Sequence, residues 1–359
     1  MGTNYTVNPT VREVIGKYEA LAPMAEERLQ QVVRSTGHSM MYEVTHRIKT
    51  AESIRGKLEH KPDKYSSITD LRDILGFRVI CYFQEDIDLI AKKISGAFRV
   101  DRSHTKDKRK LIDATSFGYL SLHYIIALPD DEGYPESLTG LWFEVQIRTM
   151  LQHVWAEIEH DLGYKSEFGV PRAIRRNFSR AASLLETADA LFTDIQLKLA
   201  EYKREVVRRI EDDEAAELYL DSITIAEFTS RSKKYLGLLG EIAAITGACI
   251  SEANPEGQLR QLAFLGVRTL GDLVAMIDRE HDTALRLARE KLTDSEIEEL
   301  SSTVAYYYLF RAALVNSDFS PERIKEFLSL TTTDQKSIER NARWIQKARL
   351  LRAPSSADS

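Results

Sequence analysis

Lys49, Ser53 and Lys57 recur every four residues in THRIKTAESIRGK, with Arg47 two places ahead of the first. On a helix that spacing sets the three on one face, where two cations and a hydroxyl suit a string of phosphate oxygens. A solvated basic face paired with Glu43 and Glu52 explains the same residues. In DILGFRVI, Asp73 stands just ahead of a strand-like run. It suits a magnesium ion that takes one or two protein carboxylates and completes its shell with substrate phosphates, or it is a capping aspartate. Further on, a basic loop with Lys106, Lys108, Arg109 and Lys110 precedes Phe117-Gly118-Tyr119, and then Ser121 and His123 alternate along a strand. A tyrosine beside a glycine at a loop-to-strand junction can stack on a nucleobase, or simply close a loop into the core.

Residues 144–165, EVQIRTMLQHVWAEIEHDLGYK, open as an alternating strand and turn into a helix near Thr149 that carries His153, Trp155, Glu157, Glu159, His160 and Asp161. Glu144 at the strand adds a second carboxylate. Cations for phosphates, two carboxylates for a metal and an aromatic platform for a base are what phosphoryl or pyrophosphoryl transfer between nucleotides requires, because positioning and charge neutralisation dominate that chemistry. No GxxxxGK[ST], HRD or GxGxxG occurs, which argues against a P-loop or kinase mechanism.

The elements that must position these residues form an α+β fold. Residues 10–60 read as helical, through Val14-Ile15-Tyr18-Leu21 and Val44-Ile48-Ala51-Ile54-Leu58, with Pro62 closing the segment. Ser66-Ser67 and Thr69-Asp70 introduce a short helix, DLRDIL. Phe77–Phe83 is a strand, Glu85-Asp86 starts a helix through Ile94, and Phe98-Arg99-Val100 is a short strand. Leu120–Leu128 reads as a central strand, PDDEGYPES as a turn, and Leu141–Ile147 as its hairpin partner. The expected architecture is a mixed β-sheet flanked by helices over 1–168, a helical connector over 169–215, an all-α domain over 216–352 and a frayed tail over 353–359.

With 359 residues, 43% hydrophobic and 29% charged, the chain is long enough for two domains. A net charge of −6 excludes a surface built wholly for nucleic acid. Cys81 and Cys249 cannot make a disulfide framework or a cysteine-rich zinc site, and nothing resembles a membrane span, so a cytoplasmic protein is expected.

YEVTHRIKTAESIRGK, DILGFRVI, FGYLSLHY and EVQIRTMLQHVWAEIEHDLGYK resemble, in order, the motifs of the RelA/SpoT alarmone synthetase domain across roughly residues 40–165. The resemblance implies a nucleotidyltransferase-like mixed sheet in a bacterial stringent-response enzyme that moves the β,γ-pyrophosphate of ATP to the 3′-hydroxyl of GDP or GTP. By position, Arg47, Lys49, Ser53 and Lys57 would hold ATP, with Arg47 near the adenine. Asp73 would bind Mg2+, and Glu144 would share it or act as general base. Tyr119 would stack on the acceptor guanine, with His123 nearby and Gln146 and Arg148 lining the pocket; Arg78 reads as structural.

The chain departs from the family pattern where many members carry Pro-Lys before the Gly-Tyr. Here Ala114-Thr115-Ser116-Phe117 stands, so Lys108, Arg109 or Lys110 would supply the phosphate contact. The N-terminal hydrolase half of long members is absent, and His281-Asp282 reads as a solvated helical pair. Two other readings follow: a toxin-type relative that pyrophosphorylates the 3′-end of tRNA, with the helical half neutralising or sensing, and an inactive nucleotide-binding regulator. The helical half could also serve a homo-oligomer. GVRTLGDL is explained by Thr269 as an ordinary N-cap.

Overall fold

Alternation along three strands separates a polar sheet face from an apolar one. Phe77 and Val79 in β2 (Leu75–Cys81), Val145 and Ile147 in β6 (Phe143–Thr149), and Leu122 and Ile126 in β5 (Leu122–Ala127) all enter one hydrophobic core. Their even-odd neighbours Gly76, Arg78, Glu144, Gln146 and His123 are thereby left on the other face. The core is closed by Tyr18, Leu21, Ala25 and Leu29 of α1 (Pro9–Arg34) and by Ile87, Ile90 and Ile94 of α3 (Gln84–Ala97).

The computed structural model describes residues 9–36, 43–107, 121–130, 133–163, 172–293 and 295–351. The sheet order is β1-β2-β6-β5-β3, with β1 at Glu43–Ile48 and β3 at Arg99–Val100; the short β4 (Lys106–Asp107) also pairs with β5. β2 and β6 run parallel and the other pairings are antiparallel, so the sheet is mixed.

Three local expectations change. A strand, β1, interrupts the helical reading of 10–60, and α2 begins only at Ala51, running to His60. Lys49 therefore precedes the helix that carries Ser53 and Lys57, with Thr50 as N-cap accepting from the Ser53 N–H at 3.2 Å. The expected DLRDIL helix does not form: a single 3-10 turn at Ile68–Asp70, whose capping box joins Ser67 and Asp70, ends where it would begin, and Leu75 already opens β2. The turn between β5 and β6 contains a short helix, α4 (Glu136–Thr139).

After β6 the chain enters α5 (Met150–Gly163), near the expected Thr149. Thr149 is fully buried; its hydroxyl donates to Asp189 at 2.6 Å and accepts from the Gln152 N–H at 3.1 Å. This ties the sheet to α6 (Arg172–Glu211), one helix of 40 residues. The chain divides within α6 into two compact units, residues 1–197 and 198–359.

The second unit is helical: α7 (Ser222–Arg231), α8 (Lys233–Thr246), α9 (Leu259–Phe264), α10 (Leu270–Leu292), α11 (Val304–Asn316), α12 (Pro321–Ser329) and α13 (Gln335–Leu350). It also holds a two-stranded parallel ladder, β7 (Cys249–Ser251) with β8 (Glu299–Ser301), too short to be read from alternation. Thr269 caps α10 in a capping box with Asp272. His281 lies on α10 beside Asp282 and Glu241, a partly exposed pair as read from the sequence.

Candidate active site

Register assembles the polar face row by row. Arg47, Gly76 and Glu144 lie opposite one another across β1, β2 and β6, and the next row holds Thr45, Arg78, Gln146 and His123. A third row adds Arg148, buried beside Ile80. Polar groups so placed need partners, and they find them in each other.

Glu144 is held at both oxygens. Its Oε1 accepts from His123 Nδ1 at 2.7 Å and its Oε2 from Gln146 Nε2 at 2.8 Å. Because a carboxylate only accepts, Nδ1 carries a proton, and Nε2 shares a hydrogen bond with the Ser121 hydroxyl at 2.6 Å. Gln146 in turn accepts from Arg148 Nη2. Burial would raise the Glu144 carboxyl, but the hydrogen bonds from His123 and Gln146 hold it below its ordinary range, against the opposing charge of Asp73.

Asp73 is gripped differently. The backbone N–H of Lys49 donates to the Ile74 carbonyl at 2.8 Å, pinning the end of β1 beside the approach to β2. Lys49 and Lys57 then both pair with Asp73 Oδ2. Burial opposes ionisation of Asp73, yet the two ammonium groups keep its carboxyl below the usual range. Lys57 is lowered by burial but carried above its ordinary value by Asp73, whereas burial wins at Lys49 and brings it down. Lys49 feels Glu144, and Glu144 feels Asp73, so the two carboxylates and the lysines share one electrostatic neighbourhood.

Asp73 Oδ1 is buried without a hydrogen-bond partner. An ionised carboxylate with one unmet oxygen, near a second ionised carboxylate, fits a hard divalent cation. Among the described residues no group of three or more His, Cys, Asp or Glu side chains could enclose a metal by itself.

The remaining candidates fall in three places. Arg47 is exposed on β1 in the row of Gly76 and Glu144, and Ser53 is exposed in the first turn of α2, outside the carboxylate network. Tyr119, Lys108, Arg109 and Lys110 lie outside the described residues.

Two groups on this face were given no site role in the sequence reading. Arg78, read as structural, stands on the polar face and pairs with Glu157 of α5 at 3.1 Å. It also presses its charge on Arg148, which burial first and Arg78 second pull down to about 10. Gly76 sits between Arg47 and Glu144, and a Cβ there would meet open space. Parity with Phe77 and Val79 was the signal for both. On α5, His153 lies 3.8 Å from Glu157 and near Arg148, while His160 is exposed, 3.7 Å from Asp161.

Comparison with known proteins places the chain by similarity. A family model described as the region found in RelA / SpoT proteins matches residues 46–168. GTP pyrophosphokinase YjbM of Bacillus subtilis (strain 168) is 28% identical over 167 residues, which span 46% of this chain and 76% of that protein. GTP pyrophosphokinase YwaC of the same organism is 30% identical over 156 residues, 43% of this chain and 72% of that protein. The crystal structure of the small alarmone synthetase 1 from Bacillus subtilis is 24% identical with a TM-score of 0.45, covering 53% of this chain and 97% of its own.

Proposed function

This chain belongs to the RelA/SpoT family, and from that premise we propose that it transfers the β,γ-diphosphate of ATP to the 3′-hydroxyl of GDP or GTP. The observation that carries the reading is two carboxylates held below their ordinary range in one electrostatic neighbourhood, Asp73 paired with Lys49 and Lys57 and Glu144 held by His123 and Gln146.

In this reaction the acceptor oxygen attacks the β-phosphorus of ATP, the bond from that phosphorus to the α,β-bridging oxygen breaks, and AMP leaves. A ribose hydroxyl is a poor nucleophile until its proton is taken up. Glu144 is suited to receive it, since His123 and Gln146 keep it ionised and oriented. Lys49, Lys57, Arg47 and Ser53 would meet the donor, the lysines offsetting charge that builds on the phosphate oxygens. Gln146, His123 and Arg148 would line the acceptor side, with Tyr119 and the basic residues Lys108, Arg109 and Lys110 completing it. Asp73 and Glu144 would hold Mg2+, which when bound neutralises the donor phosphates and polarises the reacting phosphorus.

Incubation with labelled ATP and GDP, GTP or tRNA tests the reading. It requires label in a guanine nucleotide that depends on Glu144. Label found only in RNA would replace it with tRNA 3′-end modification, and no transfer at all would favour an inactive nucleotide-binding protein.

A further inference from the structure

Two cavities of the helical unit differ in what their charges lack. The larger, of about 740 Å³, is lined by Arg231, Lys234, Glu211 and Asp278 among apolar groups. Two of its three cations are answered: Lys234 meets Asp278 at 2.5 Å, and Arg231 meets Glu227 at 2.8 Å and Glu211 at 3.1 Å, while Lys233 is exposed. Nothing there calls for a ligand.

The second cavity, of about 470 Å³, is lined by Lys291, Arg311 and Arg340, by Tyr307 and Trp344, and by Asn341 with neighbouring hydroxyls. No carboxylate lines it. Arg311 projects from α11 and is only 7% exposed. Its Nη1 donates to the Tyr307 carbonyl at 3.1 Å and its Nη2 to Asn341 Oδ1 at 3.3 Å, while its buried Nε has no partner. Among the described residues, none of the three cations forms an ion pair. The nearby Glu290 is engaged by the Trp344 indole N–H at 3.3 Å.

A buried guanidinium without a counter-ion is costly and is kept where an anion completes it. Burial accordingly pulls Arg311 down to about 10. Its planar fork matches phosphate oxygens two at a time, and Lys291 and Arg340 add charge without an acidic competitor. The aromatic groups supply the other half of a ligand. The Arg311 guanidinium lies 3.1 Å from the centroid of the Tyr307 ring, which stays 41% exposed, and Lys291 Nζ stands 5.1 Å from the Trp344 ring. A planar base can stack on such faces. The volume falls within the roughly 300–1,000 Å³ range of small-molecule sites.

We propose that this cavity binds a nucleoside phosphate, its phosphate on Arg311, Arg340 and Lys291 and its base against Tyr307 and Trp344. The helical unit is then a nucleotide-binding unit in its own right. This assignment does not rest on the reaction proposed for the sheet face.

Trp344 reports on the cavity. The emission of the full chain minus that of Trp344→Phe isolates this residue, so nucleotide bound at the sheet face adds nothing to the difference. Titration with GDP and with ATP is expected to give a saturable change for at least one of them, weakened at least ten-fold in Arg311→Met and in Arg340→Ala. Arg340 is exposed and lies at the rim, so Arg340→Ala is expected to keep the parent's melting temperature, which separates lost binding from lost folding. Absence of a saturable change with either nucleotide, or affinity unaltered in Arg340→Ala, would overturn the proposal. So would inorganic pyrophosphate binding as tightly as the nucleotide, because the base would then contribute nothing.

Discussion

His123 Nδ1 stands 2.7 Å from Glu144 Oε1, so the carboxylate proposed to take the acceptor proton is oriented by an imidazole from the neighbouring strand. Glu144→Gln keeps the size and one acceptor oxygen but cannot receive a proton. Its turnover is expected to fall by about 10²-fold or more, with little change in KM for either nucleotide. His123→Ala leaves Glu144 ionisable but loosens it, and a smaller fall is expected. Steady-state kinetics of the two variants, with circular dichroism to confirm the fold, check the order.

Asp73 Oδ2 is shared by two ammonium groups, and replacing it with asparagine would leave Lys49 and Lys57 facing each other without their counter-ion. Asp73→Asn is expected to lose about 1–3 kcal/mol of stability, the scale of an uncompensated, partly buried charge. It should also lose most activity. Urea denaturation of the parent and variant measures the first effect; a variant as stable as the parent would show that the lysines relax freely into solvent.

The same groups give a pH dependence with a definite sign. Asp73 and Glu144 are held below their ordinary values of 3.8 and 4.5, so their contribution to stability is fully present above those values. It is lost as pH falls through the lower, folded-state values. Lys57 is held above 10.5, so its contribution is present below that value and disappears as pH rises past it. The stability gap between parent and Asp73→Asn should therefore be constant near neutrality and narrow below about pH 4. The gap to Lys57→Met should narrow above about pH 10.5, and also at low pH as Asp73, its counter-ion, is protonated. Urea midpoints across pH 2.5–11 check both arms.

Gly76 separates folding from function. It lies in β2 between Arg47 and Glu144 with open space where a Cβ would be. A β-branched residue suits a strand, and removing a strand glycine stabilises by about 0.5–1 kcal/mol. Gly76→Val is therefore expected to match or exceed the parent in melting temperature while kcat/KM for ATP falls at least ten-fold, since the side chain occupies the space a substrate needs.

Much of this geometry can be read from residue order. Alternation identifies β2, β5 and β6, and the apolar stripe identifies α6. β1 escapes because Val44 and Ile48 are four apart, a spacing that fits both a helix face and one side of a strand. The break signal Ser35-Thr36-Gly37 ahead of it was the clue to a new element. The pairing of Lys49 with Asp73 joins residues 24 apart and appears only once β1 lies against β2. The partner of Arg78 was hidden for a related reason: a strand flanked by valine and phenylalanine does not show from order alone which of its side chains leave the core.

The most direct test of the central claim is the identity of both products. With ATP labelled at the γ-phosphate and GDP or GTP as acceptor, the account predicts AMP and a guanosine nucleotide bearing a 3′-diphosphate in equal amounts, both abolished in Glu144→Gln. Formation of ADP in place of AMP, or AMP with free pyrophosphate and no labelled guanosine product, would contradict it.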